Sequence, residues 1–188
     1  SLAIETMAAY AYARLDFRFK KPLWRATIFT MFIPNIAILL TSFVVVKDMG
    51  MLDSLWVCII PSLAGAGSIF FYRQFFLQVP LSMEEAALVD GASRFRIYYT
   101  VFLPNAKAPM VLLGTGTFIG CWNSYVWPTL TSVDKWQIMQ VIRSFRSTYS
   151  EAYGVVMAAS LLSAIPPLIV FLIFQKHIIK GMLISGIK

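Results

Sequence analysis

Four stretches of this 188-residue chain each run for roughly the thickness of a bilayer without a charged residue: residues 26–46, 55–72, 108–133 and 152–175, which are 21, 18, 26 and 24 residues long. A helix needs about 20 apolar residues to cross a hydrocarbon layer of about 30 Å. Backbone N–H and C=O groups find no water there, so a spanning segment satisfies them internally, and an apolar run does so as a helix. The pattern predicts an all-α, polytopic transmembrane bundle. Composition agrees, with 59% of residues hydrophobic and 13% charged, against roughly 45–50% and 25% in soluble domains.

A fifth apolar stretch, residues 6–13, is too short to span, and the chain opens at Ser1. It reads as the end of another membrane helix whose N-terminal part is missing. Glu5 stands at its start, either as an intramembrane acid or at the edge of the missing part. No basic segment precedes it, so it is not a signal peptide. Cys58 and Cys121 lie inside apolar runs, where a thiol packs as a small hydrophobe. Neither cysteine suggests a disulfide or a metal framework.

The net charge of +7 raises nucleic acid as a partner, but the basic residues flank the apolar runs and form no patch, so none is expected. If each long run crosses, the linkers alternate sides. Twelve basic residues fall on one side (Arg14, Arg18, Lys20, Lys21, Arg25, Arg73, Arg94, Arg96, Lys107, Lys176, Lys180 and Lys188) and four on the other (Lys47, Lys135, Arg143 and Arg146). The positive-inside rule assigns the first set to the cytoplasm, and the C-terminus with it. The opposite loop, residues 134–151, carries Trp136, Phe145 and Tyr149, which suit a membrane interface.

Residues 73–107 are then cytoplasmic. They are too polar for lipid, yet regularly patterned. Pro80 and Ser82 announce a helix, and Ser82-Met83-Glu84-Glu85 fits a capping box in which the Ser82 hydroxyl and the Glu85 carboxylate satisfy free amides. Gly91 fits a C-terminal cap. A second short helix is expected over 93–103, ended by Pro104. A bent, exposed knob of this kind suits docking.

The same segment reads Glu85-Ala86-Ala87, three residues, Gly91, nine residues, then Val101-Phe102-Leu103-Pro104. This closely resembles the EAA loop of binding-protein-dependent ABC importer permeases, whose pattern ends I-x-L-P; Val101 stands for Ile, a small loss of volume. Residues 8–18 look like the AYAxARxxF entry of carbohydrate-type permeases. Phe118-x-x-x-Trp122-Asn123 with Trp127-Pro128 looks like their F-x-x-x-W-N…W-P segment, and the tail, residues 175–188, is similar to theirs. The style is that of the second permease of maltose-type and glycerol-phosphate-type importers.

The resemblance implies a type I importer permease, one transmembrane domain over residues 1–188 with a coupling loop at 80–104, in a prokaryotic plasma (inner) membrane. It implies that Glu85, Ala86, Ala87, Asp90, Gly91, Val101, Leu103 and Pro104 form the coupling element that seats in a separate ATPase. The implied partners are a second permease, two ATPase subunits carrying ATP and Mg, and an extracytoplasmic solute-binding protein. The implied substrate is a mono- or oligosaccharide, with polyol or sugar phosphate as the alternative.

The chain itself has no G-x-x-x-x-G-K-[ST] loop, so no nucleotide or other cofactor is expected on it. His177, alone at a helix end, offers neither a catalytic pair nor a metal site, and no constellation of acids, bases or nucleophiles suggests an enzyme. An ion-driven secondary transporter is the rival reading, and it calls for intramembrane carboxylates. The four long runs contain no Asp or Glu.

A substrate path is expected where small and polar residues interrupt the runs, at Gly67, Ser68, Trp122, Asn123 and Tyr125. Trp122 suits a sugar face and Asn123 a water-filled path, although packing and hydrogen bonding between helices is the commoner role of both residue types. Gly116 and Gly120, four apart, suggest a close helix–helix contact. Kinks are expected at Pro34-Asn35 and at Pro166-Pro167.

Overall fold

A computed structural model describes residues 1–148 and 153–186. Tyr149, Glu151 and Lys188 lie outside the described residues, as do the side chains of His177 and Lys180. Among the described residues there are twelve α-helices and no strand: α1 (Leu2–Arg14), α2 (Lys20–Thr30), α3 (Leu39–Asp48), α4 (Trp56–Ile59), α5 (Ala66–Gln78), α6 (Leu81–Val89), α7 (Arg94–Ile97), α8 (Leu103–Asn105), α9 (Lys107–Trp122), α10 (Val126–Thr131), α11 (Ile138–Thr148) and α12 (Tyr153–Gly186). A 3-10 turn (Ile60–Ser62) comes after α4, and a π-helical segment (Tyr98–Phe102) joins α7 to α8. The helices gather into two compact units, one from Ser1–Pro34 and Ser62–Leu113, the other from Asn35–Pro61 and Gly114–Ile179.

The all-α expectation holds, but only the last apolar run forms a single helix long and apolar enough to cross a membrane, Tyr153–Lys176 within α12. Its Leu161 and Leu162 are 72% and 67% exposed. A helix this apolar with no buried face belongs against lipid or another membrane helix. The other three runs are broken, which corrects the expectation of four continuous spans.

The first two breaks have a local cause. Pro34 has no N–H to offer the Thr30 carbonyl, and the chain tightens instead: Met31, Phe32 and Ile33 donate only three residues back, Ile33 to that same carbonyl at 3.2 Å. The kink expected here is therefore a full break between α2 and α3. In the second run Pro61 lies in the 3-10 turn and Gly65 precedes α5. The Gly65 amide would be an orphan at a helix start, and the Glu5 carboxylate accepts from it at 3.0 Å. Glu5 is 3% exposed, so it is a buried acid that caps α5 and favours the positive end of its dipole. A Cβ added at Gly65 would fall 3.4 Å from Glu5 Oε1, in van der Waals contact with that cap.

The fourth run behaves differently, because α12 continues through Pro166 and Pro167. Pro167 cannot donate to the Ser163 carbonyl one turn back. The Trp122 indole N–H does so at 3.0 Å, so the freed acceptor is satisfied from another helix.

The core of the first unit is aromatic. Tyr10 of α1, Tyr72 and Phe76 of α5, and Tyr98 and Phe102 of the π segment are buried together. Phe76 meets Phe102 edge-on at 5.5 Å, and Tyr10 lies 4.9 Å from the same ring. In lipid such packing, rather than escape from water, holds helices together. Thr6 adds a buried hydroxyl pair with Tyr98 at 2.8 Å.

In the second unit Asp53, at φ 55°, accepts from the Val133 amide and, at 3.2 Å, from the Asp134 amide, while its own N–H donates to the Thr131 carbonyl at 2.9 Å. The linker after α3 and the linker after α10 are thus tied together. These are two linkers that the charge count puts on one common side.

Candidate functional site

Helix α6 begins two residues earlier than its sequence suggests. Pro80 is its N-cap and no side chain caps it, so the Ser82–Glu85 capping box does not form. A proline cap needs none of its own N–H, and Met83 N–H finds the Pro80 carbonyl at 3.2 Å. The other end is as expected. Gly91 has φ +76°, the Gly91 amide donates to the Leu88 carbonyl at 3.0 Å, and the Ala92 amide to the Ala87 carbonyl at 3.0 Å. This pair of reverse bonds is the Schellman arrangement, which a left-handed glycine makes cheap.

Beyond the glycine turn the chain departs from expectation. The Ser93 hydroxyl accepts from the Arg96 amide at 3.3 Å and starts α7, but Pro104 does not stop the chain. The Leu103 amide reaches five residues back to the Tyr98 carbonyl. This wider π turn removes the clash that Pro104 would have with the Thr100 carbonyl in an ordinary helix, so the chain runs on into α8 and α9. Val101 and Leu103 pack against the aromatic core.

The loop therefore has an inner and an outer face. Ala87 and Ala92 pack against the core cluster. Glu85, Ala86, Asp90 and Gly91 are exposed, and beside them stand Met83 (43% exposed), Leu88 (39%) and Val89 (87%). Two acids, a small residue and three uncovered apolar side chains thus stand together on the outer side of the loop. Such an arrangement suits insertion into a cleft, with apolar contacts for affinity and the carboxylates for register.

Residue-type reasoning passed over the groups that hold this knob in place. Glu84, next to the exposed Glu85, is buried with its side chain 7% exposed. Its Oε1 accepts from Arg94 Nη1 at 2.6 Å, across the Gly91 turn, and its Oε2 lies 3.8 Å from Arg14 Nε. Arg14, with its side chain 6% exposed, comes from the last turn of α1. Its Nη2 donates to the carbonyls of Phe76, at 2.7 Å, and Val79, closing the C-terminal end of α5. Its guanidinium also lies over the Phe102 ring, 5.1 Å from the centroid. One arginine thus joins α1, α5, α6 and the π segment. Its sequence signal was its place at the end of an apolar stretch and within residues 8–18, which resemble the permease entry motif; neither names its partners.

The residues suggested for a substrate path fall in different surroundings. Gly67 and Ser68 belong to α5 in the first unit, Gly67 exposed and Ser68 half-buried. Trp122, Asn123 and Tyr125 lie at the break between α9 and α10 in the second. Trp122 stacks on Phe118 at 5.8 Å while its indole N–H holds the Ser163 carbonyl. Asn123 is exposed. Tyr125 carries the Arg143 guanidinium over its ring at 4.3 Å. At Gly116 and Gly120 an added Cβ would meet nothing within 4 Å, so the close contact expected there is not made within this chain. Cys58 is half-buried and accepts from Gln137 Nε2 at 3.0 Å, whereas Cys121 is exposed.

Known proteins are similar to this chain over nearly its whole length. Residues 6–184 match the family described as binding-protein-dependent transport system inner membrane component. The chain is 28% identical over 185 residues to the lactose transport system permease protein LacG of Rhizobium radiobacter, covering 97% of this chain and 68% of that one. It is 31% identical over 188 residues to the sn-glycerol-3-phosphate transport system permease protein UgpE of Yersinia pestis, covering 98% and 67%. It is 25% identical over 190 residues to the arabinooligosaccharides transport system permease protein AraQ of Halalkalibacterium halodurans, covering 100% and 68%. A match over nearly the whole chain, on a helical scaffold that presents the Glu85–Pro104 loop as an exposed knob, means that the chain belongs to the inner membrane components of binding-protein-dependent transport systems.

Proposed function

We propose that this permease couples ATP hydrolysis on separate subunits to sugar import, with α6 and the Gly91 turn seated in an ATPase cleft. The observation that carries the reading is the two-faced loop: Glu85, Ala86 and Val89 point outward while Glu84 is held from behind by Arg14 and Arg94. A knob that is free on one side and clamped on the other transmits force rather than absorbing it. Closure of the ATPase pair would carry α6 with it, and Arg14 would pass the displacement to α1 and the end of α5. The remaining parts of the machine are a second permease, two ATPase subunits carrying ATP and Mg, and an extracytoplasmic solute-binding protein. The knob faces the cytoplasm in this reading, and the Asp53-tied linkers face outward. The relatives' names favour carbohydrate cargo, either a neutral saccharide as for LacG and AraQ or a phosphorylated polyol as for UgpE.

Cross-linking tests the docking. With Cys58 and Cys121 changed to Ala, a photoactivatable maleimide placed on Ala86→Cys in the assembled transporter should label an ATPase subunit. Labelling confined to lipid or to the solute-binding protein would contradict the reading.

A further inference from the structure

The second unit contains a cavity of about 570 Å³ between α10 and α11, lined by Tyr125, Thr129, Trp136, Gln140, Arg143 and Arg146 among others. That volume falls within the roughly 300–1,000 Å³ of small-molecule sites and suits one or two sugar rings. Its chemistry is one-sided. Two guanidiniums line it and, among the described residues, no carboxylate does. The nearest acids by connection are Asp53 and Asp134; Asp53 already accepts from the Val133 and Asp134 amides, and neither lines the cavity.

The positions arise from α11, whose two faces differ sharply. Ile138, Val141, Ile142 and Phe145 make one side, and Gln140, Arg143 and Arg146 recur every three residues on the other. Neighbours at that spacing have Cβ atoms roughly 5–6 Å apart, close enough for both arginines to grip one oxyanion. Gln140 is buried and fixes the floor: its Nε2 donates to the Ser132 carbonyl at 3.2 Å and its Oε1 accepts from the Gln137 amide at 2.8 Å. The Trp136 indole N–H donates to the Val133 carbonyl at 2.6 Å, which orients the ring, yet the residue stays 55% exposed. Arg143 lies over the Tyr125 ring, and this contact aims its guanidinium without consuming its N–H donors.

We propose that this cavity binds an anionic carbohydrate at the outer mouth of the permease, its phosphate or carboxylate held by Arg143 and Arg146 and its ring laid on Trp136. The proposal rests on the importer reading for its location and narrows the cargo to phosphorylated or acidic sugars. A phosphate can also arrive as a lipid headgroup, and the experiment separates the two sources.

The assembled transporter in phosphatidylcholine nanodiscs is titrated with glucose 6-phosphate and with glucose, and binding is followed by calorimetry. Glucose 6-phosphate should bind at least tenfold more tightly. Arg143→Gln and Arg146→Gln should each weaken it by about tenfold and leave glucose unchanged, and Trp136→Leu should weaken both sugars alike, with circular dichroism unchanged throughout. Equal affinity for the two sugars, or indifference to both arginine changes, would overturn the site. Adding phosphatidylglycerol to the disc should leave glucose 6-phosphate bound; arginine-dependent displacement by that lipid would assign the oxyanion site to headgroups and overturn the sugar assignment. A transporter that couples normally but shows no phosphate preference would remove this proposal and leave the importer reading intact.

Discussion

Glu84 and Arg94 stand on opposite sides of the Gly91 turn, and their side chains meet at 2.6 Å. The pair closes the turn from within, and the same carboxylate faces Arg14 at 3.8 Å. Removing one member of a buried ionic group leaves an uncompensated charge, which costs about 3 kcal/mol or more. Glu84→Gln should therefore destabilise the folded protein by about that amount in detergent melts, because Arg14 is 6% exposed and keeps its charge. Glu85→Gln, on the exposed face, should change stability by less than about 0.5 kcal/mol. Equal losses at the two neighbouring glutamates would show that the inner and outer faces have been wrongly separated.

Gly91 tests backbone conformation without steric interference, because an added Cβ there meets nothing within 4 Å. At φ +76° an L-residue costs about 1–2 kcal/mol. Gly91→Ala should lose about 1 kcal/mol and Gly91→Asn clearly less, since Asn tolerates the left-handed region. The same melts rank the two variants, and Ala equal to glycine would argue against the turn geometry.

Trp122 is bound to a carbonyl that a proline has orphaned, so its contribution depends on that proline. Trp122→Phe should cost about 1–3 kcal/mol by leaving the Ser163 carbonyl unsatisfied. In a Pro167→Ala background the alanine N–H reaches that carbonyl, and the same change should cost much less. A double-mutant cycle measures the coupling; additive losses would mean that the indole serves packing alone.

Asp53 joins two linkers through backbone amides and also occupies a left-handed conformation at φ 55°. Asp53→Gly relieves the conformation but frees the Val133 and Asp134 amides, and Asp53→Asn keeps an acceptor and tolerates the conformation. Asn should therefore be the milder substitution by about 1 kcal/mol. Hydrogen exchange at Val133 and Asp134 should quicken in the Gly variant and stay slow in the Asn variant.

Patterns that depend on nearest neighbours were legible in the sequence. Apolar runs announced a helical membrane protein, and the spacing from Glu85 to Pro104 located the exposed loop and the left-handed Gly91. What escaped were effects that need a partner distant in the chain. Glu84 and Glu85 are identical as residue types, and only the fold brings Arg14 of α1 and Arg94 to one of them. Uncharged runs likewise looked continuous because charge counting is blind to breaks. At Pro34 the freed Thr30 carbonyl was taken by the neighbouring Ile33 amide in a tightened turn and the helix ended, whereas at Pro167 the freed Ser163 carbonyl was taken by Trp122 and the helix continued. Pro104 was expected to terminate a helix, and a single π turn let the chain pass it.

Coupling through the exposed face of α6 is the central claim, and Glu85→Lys addresses it most directly because that side chain is solvent-facing and its change leaves the buried clamp intact. The measurement is solute-stimulated ATP hydrolysis together with uptake in the reconstituted transporter. The account predicts a permease that folds and inserts as before, with stimulation and uptake both reduced at least tenfold. Undiminished stimulation and uptake in Glu85→Lys would contradict it.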